Sequence, residues 1–143
     1  MSTEENKAIY RRHIEEAWNR GNLDVIDQYM HPAYTRKENT TTVQGLQETK
    51  QLMTNYRQAF PDVHITIEEE IVEGDKIATR YTASATHTGT FMGIAPTGKH
   101  VTITGMGFGR IVDGKFVESW HIFDRLDLLQ QLGVNPLPGQ ASE

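Results

Sequence analysis

Around Phe60-Pro61-Asp62 the spacing of apolar residues changes from three or four to two, and this switch limits what the chain can become. Ahead of it apolar positions recur at helical intervals; behind it they alternate with polar ones, as on a strand. Helices gathered in front and strands behind indicate an α+β fold with segregated layers, not the alternating units of a parallel sheet.

In the front half, Tyr10, Ile14 and Trp18 recur every four residues beside Ala17, which predicts an amphipathic helix over 3–20. Ser2 or Thr3 can cap it, Ser2 with Glu5 has capping-box spacing, and Gly21-Asn22 supplies the stop. Leu23, Ile26 and Met30 predict a short helix over 23–30, ended at His31-Pro32 because a residue before proline is pushed out of the α region. The polar, threonine-rich stretch 34–44 reads as a loop with a short strand. A third helix runs from Gly45 to about Ala59, with Leu46, Met53, Tyr56 and Phe60 as its stripe.

Val63, Ile65 and Ile67 then alternate with His64, Thr66 and Glu68, which opens the strand half. Further strands are predicted over 77–90, 101–112 and 115–124, with a turn at 73–76, a loop at 91–99 and the Asp113-Gly114 hairpin signal. A short closing helical turn covers 126–132, and the tail 134–143 is expected to be loose. Nothing divides the chain by repeat or linker, so 1–143 reads as one domain. At this length a chain buries about two-thirds of its unfolded surface, enough for a core and an internal cavity.

Composition removes several functions. The net charge of −5, with basic residues scattered, argues against a nucleic-acid partner. No apolar run approaches the roughly 20 residues of a membrane span, and MSTEENKAIYRRH lacks a signal-peptide layout. Cysteine is absent, so disulfides, thiol nucleophiles and thiolate metal sites are excluded, and a cytoplasmic location is expected. The six histidines lack the helical i, i+4 spacing of a metal pair, so no metal is expected. Gly105-Met106-Gly107-Phe108-Gly109 lies within a strand and not between strand and helix, which speaks for a bend around a cavity and against a phosphate cradle. No G-x-S-x-G nucleophile elbow is present.

On the last strand, Phe116, Glu118, Trp120, Ile122 and Asp124 share one face, and Val117, Ser119, His121 and Phe123 the other. The Trp120 face, holding the largest aromatic, is assigned inward. Asp124 then stands beside apolar walls, which disfavour a charged carboxyl and tune it for proton transfer. Alternatively Asp124 pairs with Arg125 or Arg110, or caps the closing helix, the commoner fate of a lone aspartate there. His87, in phase with Tyr81, Ala83 and Ala85, either lines a pocket or is a hydrogen-bonded structural histidine. His64 and His121 are single strand histidines for which structural or surface roles are the simpler reading.

The stretches 18–34 and 56–133 resemble the SnoaL-like polyketide cyclases of the nuclear-transport-factor-2-like superfamily. The signature is carried by Phe60-Pro61-Asp62, Glu73-Gly74-Asp75, Thr86-His87-Thr88-Gly89, Pro96-Thr97-Gly98 and Trp120-x-x-x-Asp124. The resemblance implies a cone-shaped, strongly curved antiparallel or mixed sheet closed by N-terminal helices, an α+β barrel with a pocket inside. It implies an intramolecular aldol ring closure of a polyketide ester in which an aspartate removes the α-proton and later protonates the oxygen, with no cofactor. By motif that aspartate is Asp124 and the pocket histidine His87, with His87 or His64 hydrogen-bonding the developing enolate. Tyr10, Trp18, Tyr29, Met53, Tyr56, Tyr81, Met92, Met106 and Trp120 are the candidate walls for a small hydrophobic, polyketide-like molecule. A homodimer through the outer sheet face is also implied. Two alternatives accompany this reading. One is a non-catalytic module that binds small ligands or dimerises. The other is an epoxide hydrolase or ketosteroid isomerase-like activity, the hydrolase using Arg80 and Arg110 with Asp124. Fold alone does not separate them.

Overall fold

The structure, a computed structural model, describes residues 3–134. Helix α1 (Thr3–Arg12) continues into a π-helical segment, His13–Asn19, followed by a 3₁₀ turn, Leu23–Gln28. Strands β1 (Met30–Glu38) and β2 (Thr41–Gln44) lead into α2 (Gly45–Ala59). Strands β3 (His64–Glu73), β4 (Lys76–Thr86), β5 (His100–Val112) and β6 (Lys115–Phe123) follow, and α3 (Arg125–Gln131) closes the described chain. The expected Ser2 cap and the tail beyond Val134 lie outside the described residues. Among those residues no helix is long and apolar enough to cross a membrane.

The six strands form one sheet in the order β2-β1-β6-β5-β4-β3. Strands β3 to β6 make an antiparallel meander, as their alternation and turn residues predict. Asp113 and Gly114 both take positive φ, the condition for a two-residue hairpin turn matched to strand twist. Strand β1 joins the meander parallel to β6, which makes the sheet mixed. β2 and β3 remain as edges, so the sheet is not closed and the expected barrel is corrected to an open one.

The reading of 34–44 as mostly loop is also corrected. Tyr34, Arg36 and Glu38 alternate inward along β1, and two of these three core positions are charged, which hid the strand. At the front, a strict four-residue repeat drifts around a 3.6-residue helix. The wider π winding keeps Ile14 and Trp18 on the buried side with Tyr10. The expected helix over 23–30 is shorter because Met30 already belongs to β1, and the strand expected over 77–90 ends at Thr86.

The inner face of β5 carries Gly105, Gly107 and Gly109 between Ile103 and Ile111. These glycines are sockets for neighbouring side chains. A Cβ on Gly105 would overlap the Tyr81 hydroxyl, and one on Gly107 would come within 3.0 Å of His121 Nδ1. The sheet therefore leaves room on its inner face for a tyrosine and a histidine from adjoining strands.

Candidate functional site

A cavity of about 100 Å³ lies between the inner face of the sheet and the helices. Strand register divides it into two ends. Tyr81 faces Gly105, His121 faces Gly107, and Glu38 faces His121, so β1, β6, β5 and β4 place their polar side chains at one level. Tyr10 and His13 cover that level from the helical side. Farther along the same strands Ala83 faces Ile103 and Ala85 faces Val101. With Phe60, Val63, Phe123 and Leu128 they make an apolar end.

The polar end is built around an ion pair. Arg36 and Glu38, two apart and therefore on one face of β1, are each 6% exposed. Arg36 Nη2 donates to Glu38 Oε1 at 2.8 Å, and the Tyr56 hydroxyl from α2 donates to Glu38 Oε2 at 2.6 Å. Burial works against the Arg36 charge, but Tyr34 and Glu38 outweigh it and hold its pKa above the ordinary value. Arg36 Nε is buried without a hydrogen-bond partner among the described residues. Burial, followed by the charge and hydrogen bond of Glu38, raises the Tyr56 pKa, so this hydroxyl stays a donor.

Two imidazoles flank the pair in the neutral form. Burial first, and then the Arg36 charge, lowers His13 to a pKa of about 3; its Nδ1 meets the Tyr29 hydroxyl at 2.9 Å. His121 is held well below its usual value by burial, then by Arg36 and His13. Its Nε2 is 2.9 Å from Ser119 Oγ, which pairs in turn with the Tyr34 hydroxyl. Tyr81 is pushed up to about 12, chiefly by burial. The polar end thus holds the Arg36–Glu38 ion pair amid several neutral donors and acceptors.

The expected site residues are distributed differently. Asp124 is exposed and caps α3, its Oδ1 accepting the Asp127 N–H at 2.9 Å, and it does not line the cavity. The inward assignment of the Trp120 face is corrected, because a bulge in β6 between Phe116 and Glu118 reverses the phase of the strand. Phe116 is buried before the bulge, and Ser119, His121 and Phe123 face inward after it. Trp120 lies outside, packed on Phe108 at 5.7 Å between ring centroids.

His87 is fully buried but does not line the cavity. The Thr97 N–H, at 3.2 Å, and the Thr97 hydroxyl, at 3.0 Å, converge on its Nδ1. The ring proton is therefore carried on Nε2, which has no partner among the described residues. His64 sits exposed at the start of β3, away from the cavity. Arg80 pairs with Glu69, and Arg110 with Asp75 and Glu118, so neither joins Asp124 in a hydrolase-type set.

Of the expected walls, Tyr10, Trp18, Tyr56 and Tyr81 line the cavity. Tyr29 and Met53 are buried behind it. Met92 stands exposed at a loop tip, and Met106 points outward because the glycines on either side of it take the inner face of β5. Sequence reasoning passed over His13, Arg36 and Glu38 and left His121 as structural. The available signal was the alternation Tyr34-x-Arg36-x-Glu38. Among the described residues, no group of three or more metal-binding side chains is arranged to hold a metal ion.

No curated protein matches the chain. Solved structures do. AclR of Streptomyces galilaeus, a candidate hydroxylase, is 35% identical over 96% of this chain and 100% of its own, with a TM-score of 0.84. IdmH of Streptomyces antibioticus, a candidate polyketide cyclase, is 28% identical over 90% of this chain and 99% of its own, with a TM-score of 0.80. A SnoaL-like cyclase candidate from Jannaschia sp. CCS1, 22% identical over 95% and 98% of the two chains, shares the fold at a TM-score of 0.87. Residues 8–132 match the SnoaL-like polyketide cyclase family, and with that span and these relatives the chain belongs to it.

Proposed function

We propose that this chain is a cofactor-independent, cyclase-type enzyme that binds a small apolar carbonyl compound of polyketide type and transfers a proton within the cavity, with Glu38 as acceptor. The observation that carries this is that, among the described residues, Glu38 is the only carboxylate lining the cavity, where Arg36 and Tyr56 hold it. When Glu38 takes an α-proton its charge disappears, and Arg36 is left to pair with the enolate formed. The charge of the cavity is conserved through the step. Tyr81 and the neutral His121 face the same space and supply hydrogen bonds to the enolate oxygen. Attack of the enolate carbon on a second carbonyl of the same molecule forms the ring bond, and the proton held by Glu38 passes to the new alkoxide. This reading moves the acid–base role from Asp124 to Glu38.

The test is α-deuterium uptake from D₂O by a panel of β-keto esters, followed by mass spectrometry. Wild type is expected to catalyse uptake, Glu38→Gln, assayed at a temperature where circular dichroism finds it folded, to lose roughly 10²- to 10⁴-fold of it, and Asp124→Asn to retain it. Loss in Asp124→Asn with retention in Glu38→Gln overturns the assignment. Binding without uptake in wild type favours a ligand-binding module instead. The identity to AclR supports a second reading, hydroxylation, in which dioxygen supplies one oxygen atom and a two-electron reductant takes the other to water; its product is heavier by one oxygen atom where ring closure gives an isomer.

The homodimer belongs to the same proposal. Ile71, Met106, Phe108 and Ile122 are exposed on the outer sheet face around Trp120, the kind of apolar patch that marks an interface. Sedimentation as a monomer at micromolar concentration removes it. The cysteine-free chain suits the reducing cytoplasm.

A further inference from the structure

The apolar end of the cavity is backed by the loop between β4 and β5, and among the described residues that loop is hydrogen-bonded to the rest of the molecule only at its two ends. At the first, the N–H groups of Thr88 and Gly89 both donate to Ala59 O, at 3.0 and 3.1 Å. Gly89 lies so close to α2 that a Cβ there would overlap the Gln58 carbonyl. At the second, Thr97 binds His87 Nδ1, and Gly98 N donates to His87 O at 2.8 Å. Between these posts, among the described residues, the segment 90–96 makes no hydrogen bond to the rest of the molecule. Its only backbone pair is internal, Phe91 with Ile94, closing a turn whose exposed tip is Met92-Gly93 at positive φ.

The segment is held by Phe91. Its ring is 7% exposed and lies 5.2 Å from Phe60 and 5.7 Å from Tyr56, centroid to centroid. Phe60 and Tyr56 line the cavity and Phe91 does not, so Phe91 stands directly behind two of its walls. A dry cavity of roughly 150 Å³ accepts a single benzene ring. At about 100 Å³, this one has room for one ring at most while Phe91 stays where it is.

We propose that Phe91 is a specificity-determining residue: it sets the size of the hydrophobic ligand by bracing Phe60 and Tyr56. Ligands of more than one ring require the segment 90–96 to swing on its posts and withdraw the Phe91 ring. The segment is suited to this, since its movement breaks apolar contacts and no hydrogen bonds to the body. The inference concerns which molecules fit and not what reaction follows, so it stands or falls independently of the role of Glu38.

The test compares phenol with 2-naphthol, one ring against two, by isothermal titration calorimetry on the full chain. Phe91→Ala is expected to tighten 2-naphthol relative to phenol by roughly tenfold over wild type, the scale of about two newly buried methylene-sized groups. Phe91→Leu should move the ratio the same way by a smaller factor, and Phe91→Trp should weaken 2-naphthol. Circular dichroism establishes that each variant is folded; if Phe91→Ala is not, Phe91→Leu decides. A wild-type ratio in every folded smaller variant overturns the proposal. So does a parallel rise for both probes, since that means a general loosening and not a change of size limit.

Discussion

Replacing Glu38 by Gln should destabilise the protein severely, for a reason that can be worked from the site. The side chains of Arg36 and Glu38 are each 8% exposed and meet at 2.8 Å, so solvent screens them little. Two unit charges about 4 Å apart attract by ~4 kcal/mol at an effective dielectric constant near 20. Gln keeps an oxygen that can accept from Arg36 or Tyr56, but it carries no charge, and Arg36 is left buried without a counter-ion. Breaking one side of such a pair costs about 3–5 kcal/mol. With a urea m-value of ~2 kcal/mol/M, the unfolding midpoint should fall by roughly 1.5–2.5 M, read by far-UV circular dichroism at pH 7.5. The double replacement Arg36→Met with Glu38→Leu removes both charges and should recover most of this loss, short by about 1 kcal/mol for the Tyr56 hydroxyl left without its acceptor. A midpoint for Glu38→Gln within about 0.5 M of wild type would refute the reasoning. So would a double variant as unstable as the two single losses added together.

Three further outcomes follow from the same geometry. Gly105→Ala places a methyl group on the Tyr81 hydroxyl and 3.0 Å from Ile122 O, so it should cost about 1–3 kcal/mol and weaken phenol binding; unchanged titrations would mean that Tyr81 does not fill that socket. His13 has a folded pKa of about 3, below the 6.5 of the unfolded chain, so its contribution is fully present above pH 6.5 and is lost as the pH falls from 6.5 toward 3. Urea midpoints should decline across that window and decline less in His13→Gln, and equal slopes would remove His13 as the cause. Asp124→Ala should lose about 1 kcal/mol through the α3 cap while leaving phenol affinity intact, and a change in affinity would return Asp124 to the cavity.

Much of the scaffold was legible because apolar side chains do most of its burying. Helix α2 runs from Gly45 to Ala59 as its stripe predicts, and between turns rich in Gly and Asp β4 and β5 follow the period of two, which a register shift interrupts once in β3 and once in β6. Strand β1 was not legible. A pattern reader expects apolar residues at core positions, whereas Arg36 and Glu38 occupy two of them and are tolerated only because each neutralises the other. Nor does local sequence show that β1 lies parallel to β6, a pairing made by residues some 80 positions apart.

The site went unread for a related reason. His121 looked like an isolated strand histidine, the three glycines of β5 looked like a bend, and Arg36 with Glu38 fell in a stretch that read as mostly loop. Each is a misfit in the core of its own strand, and register brings the misfits together. Glu38 lies opposite His121, His121 opposite Gly107, and Gly107 opposite Thr79, a single line across four neighbouring strands. A bulge after Phe116 then turns β6 so that His121, and not Trp120, faces the cavity. Placing the largest aromatic inside is sound for a strand that serves only packing, and it fails here because this part of the sheet surrounds an ion pair. Departures from binary patterning on adjacent strands are therefore better aligned with one another before any is dismissed, since a polar cavity needs several of them at one level.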